Sequence, residues 1–504
     1  MKTEAEIISE VLTLGCDEFV VCGGARNALL VAQLCDHPKL RVFTHFEERG
    51  AAFFALGRTK ATGLPCAVVT TSGTAVAECL PAVIEAHYSS LPLIVLSADR
   101  PAEFHGTGAP QVIEQEGIFS NYAHSGQDWK GHGPLHLNVQ LGESPLTETT
   151  DFPEPEPFLP KRRSFEVLAL RDFITQGVFK GLMVMVGGLD EDDREETYHF
   201  LKELGVPVMA DATSGIREVL GELILPEKAA LANLPGKILR LGEVPVGRLW
   251  RDLEDHPKIE IFSVCRNGLP GLARKSSVIE AEVGRVLRGL GEPEEIGDIN
   301  DDFPAGRKVL ARSDELLEAY PDGEPGLVRA LSIYATTGES LFLGNSLPIR
   351  EWNDFAQRAT PYALVRANRG ANGIDGQLST WLGATAYEPD AWAVFGDLTT
   401  LYDLASPSFF SQIETEGRVL AVINNGGGQI FDRIPRLSGM NNEQRDAVIQ
   451  PQTVDFSKWA EMWGFHHLKI TQMEDFDLLE TANHPLLLEI VPSESQTMDF
   501  WAAL

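Results

Sequence analysis

The run Ala391 to Phe395 is apolar throughout and ends in Gly396-Asp397-Leu398. A second run, Arg418 to Ile423, is apolar after its first residue and ends in Asn424-Asn425-Gly426-Gly427-Gly428. A helical stretch lies between them. Apolar runs this short, without polar alternation, suit strands covered on both faces by helices, the arrangement of a parallel sheet. In such a sheet, ligands sit at the carboxyl ends of the strands. Both runs deliver polar groups to that end. An Asp carboxylate, an Asn amide oxygen and a Gly carbonyl form a hard oxygen set suited to Mg²⁺ that already holds phosphate oxygens. The glycines let the backbone come close to a diphosphate. Asp, Asn and Gly are also common in ordinary strand-to-loop turns, so this pair alone leaves both readings open.

Strand-like and helix-like patterns alternate along the whole chain, which predicts an α/β protein built of parallel-sheet layers. Phe19 to Cys22, Arg41 to Thr44, Cys66 to Thr70 and Leu93 to Leu96 are short strands, each followed by a turn and a helical pattern. Pro145, Pro153, Pro155, Pro157 and Pro160 then mark an extended linker between Glu143 and Arg163. A second α/β unit opens at Gly181 to Gly187, runs through Pro207 to Asp211 and ends near Leu290, before an acidic stretch from Gly291 to Gly306. A third opens with a helix at Leu327 to Tyr334 and a strand at Ser340 to Leu343. The expected organisation is three domains, 1–145, 166–305 and 306–504, with a Pro-rich linker at 146–165, all of ordinary domain size. The central unit lacks G-x-G-x-x-G, so a dinucleotide site has little support there. Its acidic run, Asp190 to Glu196, reads as the solvated start of a helix, where carboxylates suit the positive end of the dipole.

Composition narrows the partners. With 504 residues, 43% hydrophobic and 23% charged, the chain has ample material for several cores. Its formal charge of −31, with no basic stripe, argues against nucleic acid or anionic membrane as a partner. The six cysteines, Cys16, Cys22, Cys35, Cys66, Cys79 and Cys265, show no C-x-x-C spacing and read as buried thiols in a reducing compartment. The acidic N-terminus opens an amphipathic helix rather than a signal peptide, and no apolar run has the length of a membrane span. A cytoplasmic location is expected.

Glu48 lies where a strand ends and the Gly50 to Lys60 helix begins, a place where carboxylates are common simply as dipole partners. The order of motifs around it points elsewhere. Downstream come Thr71-Ser72-Gly73-Thr74-Ala75, then Ser97-Ala98-Asp99-Arg100-Pro101, then Gly108-Ala109-Pro110-Gln111. The Gly-Asp…Asn-Asn pair follows in a separate unit. This order resembles thiamine diphosphate enzymes of the decarboxylase type, with pyrimidine, central and diphosphate domains. More closely, it resembles the 2-succinyl-5-enolpyruvyl-6-hydroxy-3-cyclohexene-1-carboxylate synthase family of the menaquinone/phylloquinone pathway. The stretches that carry the closer resemblance are Gly344-Asn345-Ser346-Leu347-Pro348-Ile349-Arg350, Asn368-Arg369-Gly370-Ala371-Asn372-Gly373-Ile374-Asp375-Gly376 and Gly427-Gly428-Gln429-Ile430-Phe431. Where the superfamily usually has Gly after Gly-Asp, this chain has Leu398.

The resemblance implies thiamine diphosphate and Mg²⁺, or Mn²⁺, as cofactors. Residues 1–145 would bind the pyrimidine and 306–504 the diphosphate. Glu48 takes the place of the family glutamate that hydrogen-bonds the aminopyrimidine ring nitrogen, and burial should raise its pKa. Asp397, Asn425 and the Gly427 carbonyl would hold the metal, with Asn424 as the competing choice of amide. Gly73, Gly396, Leu398, Gln429 and Ile430 would line the cofactor. Ile374 would support its bent form, unless it is a plain core residue, and Gln111 would lie near the reacting carbon. The implied substrates, 2-oxoglutarate and isochorismate, are both multiply anionic, and an acidic chain needs a local cationic pocket to hold them. Arg350 and Arg369 would face the succinyl carboxylate, and Arg26 and Arg100 isochorismate. Arginine suits this role because its planar fork binds carboxylate bidentately. Singly, each of the four reads more simply as a surface ion pair; four falling inside matching motifs are much harder to explain that way. Ser346, Ile430 and Phe431 would form pocket walls, while His45 and His105 read as structural. In this superfamily the glutamate and the diphosphate site belong to different subunits, so a homodimer or homotetramer with interfacial active sites is implied.

Two departures concern the second substrate. The family's Gly-Ser-Arg-Ser is here Gly24-Ala25-Arg26-Asn27, and the stretch from Phe119 to Gly133 is shorter than the family's, so a helix or strand could be missing. Two rival readings remain open. One is another thiamine diphosphate decarboxylase or carboligase, with an apolar 2-oxo acid pocket; the other is a cofactor-binding paralogue without catalysis.

Overall fold

The short apolar runs fold as strands of three all-parallel sheets in a computed structural model that describes residues 2–126, 128–142, 153–232, 234–291 and 303–504. The first sheet contains β1 (Glu18–Val21), β2 (Arg41–Thr44), β3 (Cys66–Thr70), β4 (Leu93–Asp99) and β5 (Leu135–Gln140), in the order β2-β1-β3-β4-β5. Every residue of β1, β3 and β4 is buried, which is why these runs lack alternation. The order reverses direction between β1 and β3. At such a switch point the following helices leave on opposite faces and a crevice opens beyond the strand ends. A Cβ on Gly24, just past β1, would lie 2.6 Å from the Thr71 side chain just past β3, so this crossing needs glycine.

The second sheet contains β6 (Leu182–Val186), β7 (Val208–Ala210), β8 (Lys237–Leu241), β9 (Glu260–Cys265) and β10 (Ser277–Glu280), in the order β10-β9-β8-β6-β7. The third contains β11 (Ser340–Leu343), β12 (Val365–Arg366), β13 (Ala391–Gly396), β14 (Val419–Ile423), β15 (His466–Ile470) and β16 (Leu486–Ile490), in the order β12-β11-β13-β14-β16-β15. Its switch point falls between β11 and β13. The loops that begin at Gly344 and Gly396 therefore flank it, and the Asn424 to Gly428 loop follows the adjacent β14. The N-terminal amphipathic helix forms as expected, Glu4–Thr13, with Thr3 and Glu6 making a capping box and Ile7, Ile8, Val11 and Leu12 buried.

Contacts group the described chain into two compact units. One is Met1–Arg162 with Gly370–Glu388 and Thr399–Thr415; the other is Arg163–Arg369 with Pro389–Leu398 and Glu416–Leu504. In the first unit, residues 143–152 of the expected linker lie outside the described residues. The rest of the linker, up to Arg162, has neither helix nor strand, yet it is tied down: the Glu156 N–H donates to the Leu12 carbonyl and the Lys161 N–H to that of Lys130. Most of the acidic Gly291 to Gly306 stretch also lies outside the described residues. Between Phe119 and Gly133 the described chain has a 3₁₀ turn, Ser120–Tyr122, and an isolated bridge of His124 to Leu135, and β5 is present in a five-stranded sheet.

Two expectations are corrected. Cys35 is exposed, not buried: on the Ala28–Asp36 helix the inward residues are Leu30, Gln33 and Leu34, and position 35 turns to the outer face. The acidic run Asp190 to Glu196 does begin a helix, Glu191–Leu204, but Asp193 is buried rather than solvated. Its carboxylate accepts the N–H groups of Val283 and Gly284 at the start of the Val283–Leu290 helix, and burial pushes its pKa up to about 6.

The tightest helix contact in the first unit joins Glu48–Thr62 to Gln377–Ala384. A Cβ on Gly57 would lie 2.2 Å from the Thr380 carbonyl oxygen, and one on Gly383 would lie 2.1 Å from that of Phe54. The two backbones touch, and neither obstacle is a side chain that could rotate away. Gly57→Val should therefore destabilise the protein by about 1–3 kcal/mol or more, the usual cost of overpacking, read as a lower thermal or denaturant midpoint. A variant that unfolds with the wild type would show that the helices do not meet at backbone distance.

Candidate active site

In the first unit, Glu47 and Glu48 divide two tasks. Glu47 is the N-cap of the Glu48–Thr62 helix, and its carboxylate accepts the Gly50 N–H at 2.8 Å. The dipole-partner role that could explain Glu48 is thus already taken by its neighbour. Glu48 makes no such capping bond and lines an open cleft of about 730 Å³ with Phe46, Glu47, Thr71 to Ala75, Glu78 and Gln111 to Ile113. Burial raises its pKa, and the nearby Glu47 and Glu78 carboxylates push the same way. His45 is structural: its ring stacks on Phe46 and Phe409, and Nδ1 accepts the Glu47 N–H.

The opposite wall of the cleft rests on a buried polar network that sequence reasoning missed. Gly73, at φ +94°, packs against Gln111, itself at φ +57°; a Cβ on Gly73 would lie 3.2 Å from the Gln111 Cα. Gln115 lies beneath them, with 1% of its surface exposed. Its Oε1 accepts the Gly73 N–H at 2.7 Å, while its amide donates to the Ala98 carbonyl and to Asn138 Oδ1. Asn138 in turn donates to Asp99, which also accepts the Arg100 N–H. One network therefore fixes both the Gly73 turn and the backbone of Arg100. In the sequence, Gln115 falls in a polar loop and nothing marks it. Arg100 stacks over Phe104 at 5.3 Å, and Arg26 donates to the Leu141 carbonyl just past β5. His105 closes this edge by bonding to the Arg100 carbonyl, again a structural role.

The oxygen set lies in the second unit. Asp397 is buried at the end of β13, and its Oδ1 accepts the Leu398 N–H. Its Oδ2 accepts the N–H groups of Gly426 and Gly427, at 3.0 and 2.8 Å, and the Gln452 amide. Burial raises the Asp397 pKa, and these donors work against that rise. Leu398 is the second residue of the Asp397–Tyr402 helix and has no positive φ, so the usual glycine is not required there. Gly427, at φ +129°, is required: a Cβ would lie 2.9 Å from the carbonyl oxygens of Ile449 and Gln450.

The two candidate asparagines are used differently. Asn424 is bound on both sides: its amide donates to the Val454 carbonyl and to Glu489, and its Oδ1 accepts from Gln452. Asn425 donates its amide to Glu324 at 2.9 Å, and no described donor bonds its Oδ1. Glu324 and Glu351 form a fully buried pair beside Arg433, and burial drives both carboxyls up. Gln429 closes the loop by donating to the Asn425 carbonyl. A carboxylate, an amide oxygen without a donor and glycine backbone at one strand edge fit a hard cation on phosphate. Among the described residues, no cluster of three or more His, Cys, Asp or Glu side chains offers another metal site.

Ser346 and Arg350 sit at the neighbouring edge, after β11. Ser346 adopts φ +71°, a strained conformation for a serine and of the kind that gathers at binding sites. Arg350 donates to the Ser346 carbonyl, and both desolvation and the nearby Arg369 cation lower its pKa. Arg369 is buried; one terminal N–H group donates to Asn345 Oδ1 at 2.9 Å, while its Nε has no partner among the described residues. No described carboxylate lies within ion-pair distance of Arg100, Arg350 or Arg369. The surface ion-pair reading does not describe these three. Ile430 and Phe431 are half-buried in the 3₁₀ segment Gln429–Arg433, and Ile374 is half-buried just before the Gln377–Ala384 helix of the first unit.

Comparison with known proteins agrees with this geometry. Residues 2–118 match the thiamine pyrophosphate enzyme, N-terminal TPP binding domain family, a span that includes Glu48, Gly73 and Gln111. This supports thiamine diphosphate as a cofactor. The chain is 43% identical, over 99% of its length and 98% of the relative's, to the 2-succinyl-5-enolpyruvyl-6-hydroxy-3-cyclohexene-1-carboxylate synthase of Akkermansia muciniphila. It is 38% identical to the protein of that name from Bdellovibrio bacteriovorus, again over 99% and 98% of the two chains. The fold is shared with benzoylformate decarboxylase from Polynucleobacter necessarius, at a TM-score of 0.73 and 12% identity, covering 98% of this chain and 99% of that one. No described helix is long and apolar enough to cross a membrane. Conserved along nearly its whole length with these relatives, the chain belongs to the 2-succinyl-5-enolpyruvyl-6-hydroxy-3-cyclohexene-1-carboxylate synthase family of thiamine pyrophosphate enzymes.

Proposed function

We propose that the protein decarboxylates 2-oxoglutarate and adds the remaining succinyl unit to isochorismate in a conjugate addition. The products are 2-succinyl-5-enolpyruvyl-6-hydroxy-3-cyclohexene-1-carboxylate and CO₂, a step of menaquinone biosynthesis. The observation that carries the substrate assignment is the arginine pair at the carboxyl edge of the third sheet. Neither Arg350 nor Arg369 has a described carboxylate within ion-pair distance; Asp211 acts on Arg369, and Asp354 and Glu227 on Arg350, only at longer range, and the buried Arg369 Nε lacks even a hydrogen bond among the described residues. A buried guanidinium donor left unpaired is costly, and a substrate carboxylate would satisfy it.

Thiamine diphosphate, when bound, supplies the carbon nucleophile and electron sink that decarboxylation of a 2-oxo acid requires. The chain's own residues do the rest. Glu48, its pKa raised by burial, holds a proton against the aminopyrimidine ring nitrogen. Asp397, Asn425 and the Gly427 carbonyl hold Mg²⁺ or Mn²⁺, and the free Oδ1 is the reason to prefer Asn425 to Asn424. Gly73, Gly396, Leu398, Gln429 and Ile430 would line the cofactor, and Ile374 would pack against it. Arg350 and Arg369 orient the succinyl carboxylate beside Ser346 and Phe431. Arg26 and Arg100 receive isochorismate, and Gln111 faces the reacting carbon.

The domain assignment of 1–145, 166–305 and 306–504, with a linker at 146–165, is supported by one sheet in each. Glu48 belongs to one compact unit and Asp397 to the other. We place the complete site at the interface of a homodimer or homotetramer in the cytoplasm, with Glu48 and Asp397 contributed by different protomers.

With thiamine diphosphate, Mg²⁺ and 2-oxoglutarate, CO₂ release should rise when isochorismate is added, and the coupled product should appear. Release indifferent to isochorismate would favour another decarboxylase. Glu48→Gln should lower turnover about 10²–10⁴-fold, the range for removal of a positioned acid or base, while cofactor affinity measured by fluorescence stays near wild type. Retained turnover would remove Glu48 from the mechanism. For the metal, Asn425→Ala should weaken Mn²⁺ binding at least about tenfold in an electron paramagnetic resonance titration, with Asn424→Ala acting mainly on the melting temperature. The reverse pattern would assign the metal to Asn424.

A further inference from the structure

Gln115 does not line the Glu48 cleft, yet it is bonded to both sides of the candidate site in the first unit. It sits in the loop before β5 with 1% of its surface exposed, and both ends of its amide are used. Oε1 accepts the Gly73 N–H at 2.7 Å. Nε2 donates to the Ala98 carbonyl at 3.1 Å and to Asn138 Oδ1 at 2.8 Å. A backbone N–H can only donate and a backbone carbonyl can only accept, so these partners fix which end of the amide faces which. A glutamate here would have no donor for Ala98 and Asn138. An apolar side chain would leave three buried polar groups unpaired.

Two arms leave this amide. The first reaches the cleft wall, where Gly73 at φ +94° packs against Gln111 at φ +57°. Gln111 lies only four residues before Gln115, so one short loop carries both the wall and its anchor. The second arm crosses β5 and β4, where Asn138 stands opposite Ser97. Asn138 Oδ1 also accepts the Ser97 hydroxyl at 2.9 Å, which leaves its Nδ2 to donate to Asp99 Oδ2 at 2.8 Å. The buried Asp99 then accepts the Arg100 N–H on Oδ1 at 2.7 Å. The far end of this arm is the backbone that carries Arg100, and every residue in both arms belongs to the first compact unit.

We propose that Gln115 is a positioning residue with two separable duties. Through Gly73 it holds the wall that receives the cofactor, and through Asn138 and Asp99 it holds the backbone from which Arg100 reaches isochorismate. This rests on the readings of Gly73 and Arg100 given above. The test uses the purified full chain and three variants. Gln115→Met removes every bond of the amide. Gln115→Glu keeps an acceptor for the Gly73 N–H and loses both donors, while Asn138→Asp keeps the acceptor for Gln115 and loses the donor to Asp99. Gln115→Met should weaken thiamine diphosphate binding, measured by fluorescence with Mg²⁺, and raise KM for isochorismate, each at least about fivefold, the scale of one buried hydrogen bond. Gln115→Glu and Asn138→Asp should raise only the isochorismate KM, with cofactor affinity, kcat and KM for 2-oxoglutarate within about twofold of wild type. A melting temperature that falls while both ligand constants hold would make Gln115 a packing residue of its loop and overturn the proposal. Cofactor affinity and isochorismate KM moving together in all three variants would overturn it too, since the two duties would then be one. Should Gln115→Met not fold, the two isosteric variants decide, and an unchanged isochorismate KM in both sinks the idea. Two controls isolate the underlying readings. If Arg100→Ala leaves the isochorismate KM unchanged, or Gly73→Ala the cofactor affinity, the reading of that residue fails and the proposal with it.

Discussion

The buried carboxylate of Asp397 holds together the strand ends from which the candidate site is built. It accepts the backbone N–H of its own helix start and two from the loop after the adjacent strand, with a fourth bond from the Gln452 amide. A loop of three successive glycines has the greatest conformational entropy to lose. Bonds to an ionised acceptor are among the stronger ones available, about 1.5–3 kcal/mol net each. The acid is therefore the natural element to fix such a loop. Asn425 inherits its position from this arrangement, and Glu324 then turns its amide so that the oxygen is left over.

The same device recurs through the fold and accounts for part of the acidic composition in physical terms. Asp403 accepts the N–H groups of Gly376 and Leu378 at the start of one helix, together with the Arg49 guanidinium. Asp193 accepts those of Val283 and Gly284, and Asp211 those of Thr213 and Val246. Asp99 and Glu85 serve the Arg100 and Gly370 turns. All five side chains are buried, and each joins segments or turns whose N–H groups no sheet or helix satisfies. Buried acids in this protein thus serve as acceptors for loop backbone as well as partners of cations, as Asp403 does with Arg49 and Glu18 with Arg58. Glu48 differs from these acids: its neighbour Glu47 takes the capping bond, which leaves Glu48 to face the cleft.

Elements with periodic signals were legible in the sequence. The three parallel sheets follow from short apolar runs separated by helical patterns, and the glycines at strand ends mark the switch points. The exposure of Cys35 and the burial of Asp193 were not legible, because each depends on which side of a helix meets a neighbour distant in the chain. The site divides in the same way. Glu48, Asp397 and the arginines lie in motifs, whereas Gln115, Gln452 and Glu324 occupy stretches with no marked pattern. Their roles arise from contacts across 42, 55 and 101 residues, respectively, a range that no local spacing rule reaches.

The two departures near Arg26 and Arg100 have unequal consequences. Shortening the stretch between Phe119 and Gly133 leaves β5 in full register with β4, from Ile94 opposite Leu135 to Asp99 opposite Gln140. That register matters beyond the sheet. It brings Asn138 beside Asp99 and Gln115, and it ends at Leu141, whose carbonyl holds Arg26. The short connection therefore leaves in place the strand on which the Arg26 side chain and the Arg100 backbone depend. Ala25 is different: it is exposed and carries no hydroxyl where the family has a serine. The change concerns one hydroxyl, while β5 and its neighbours keep the bonds to the Arg26 side chain and the Arg100 backbone.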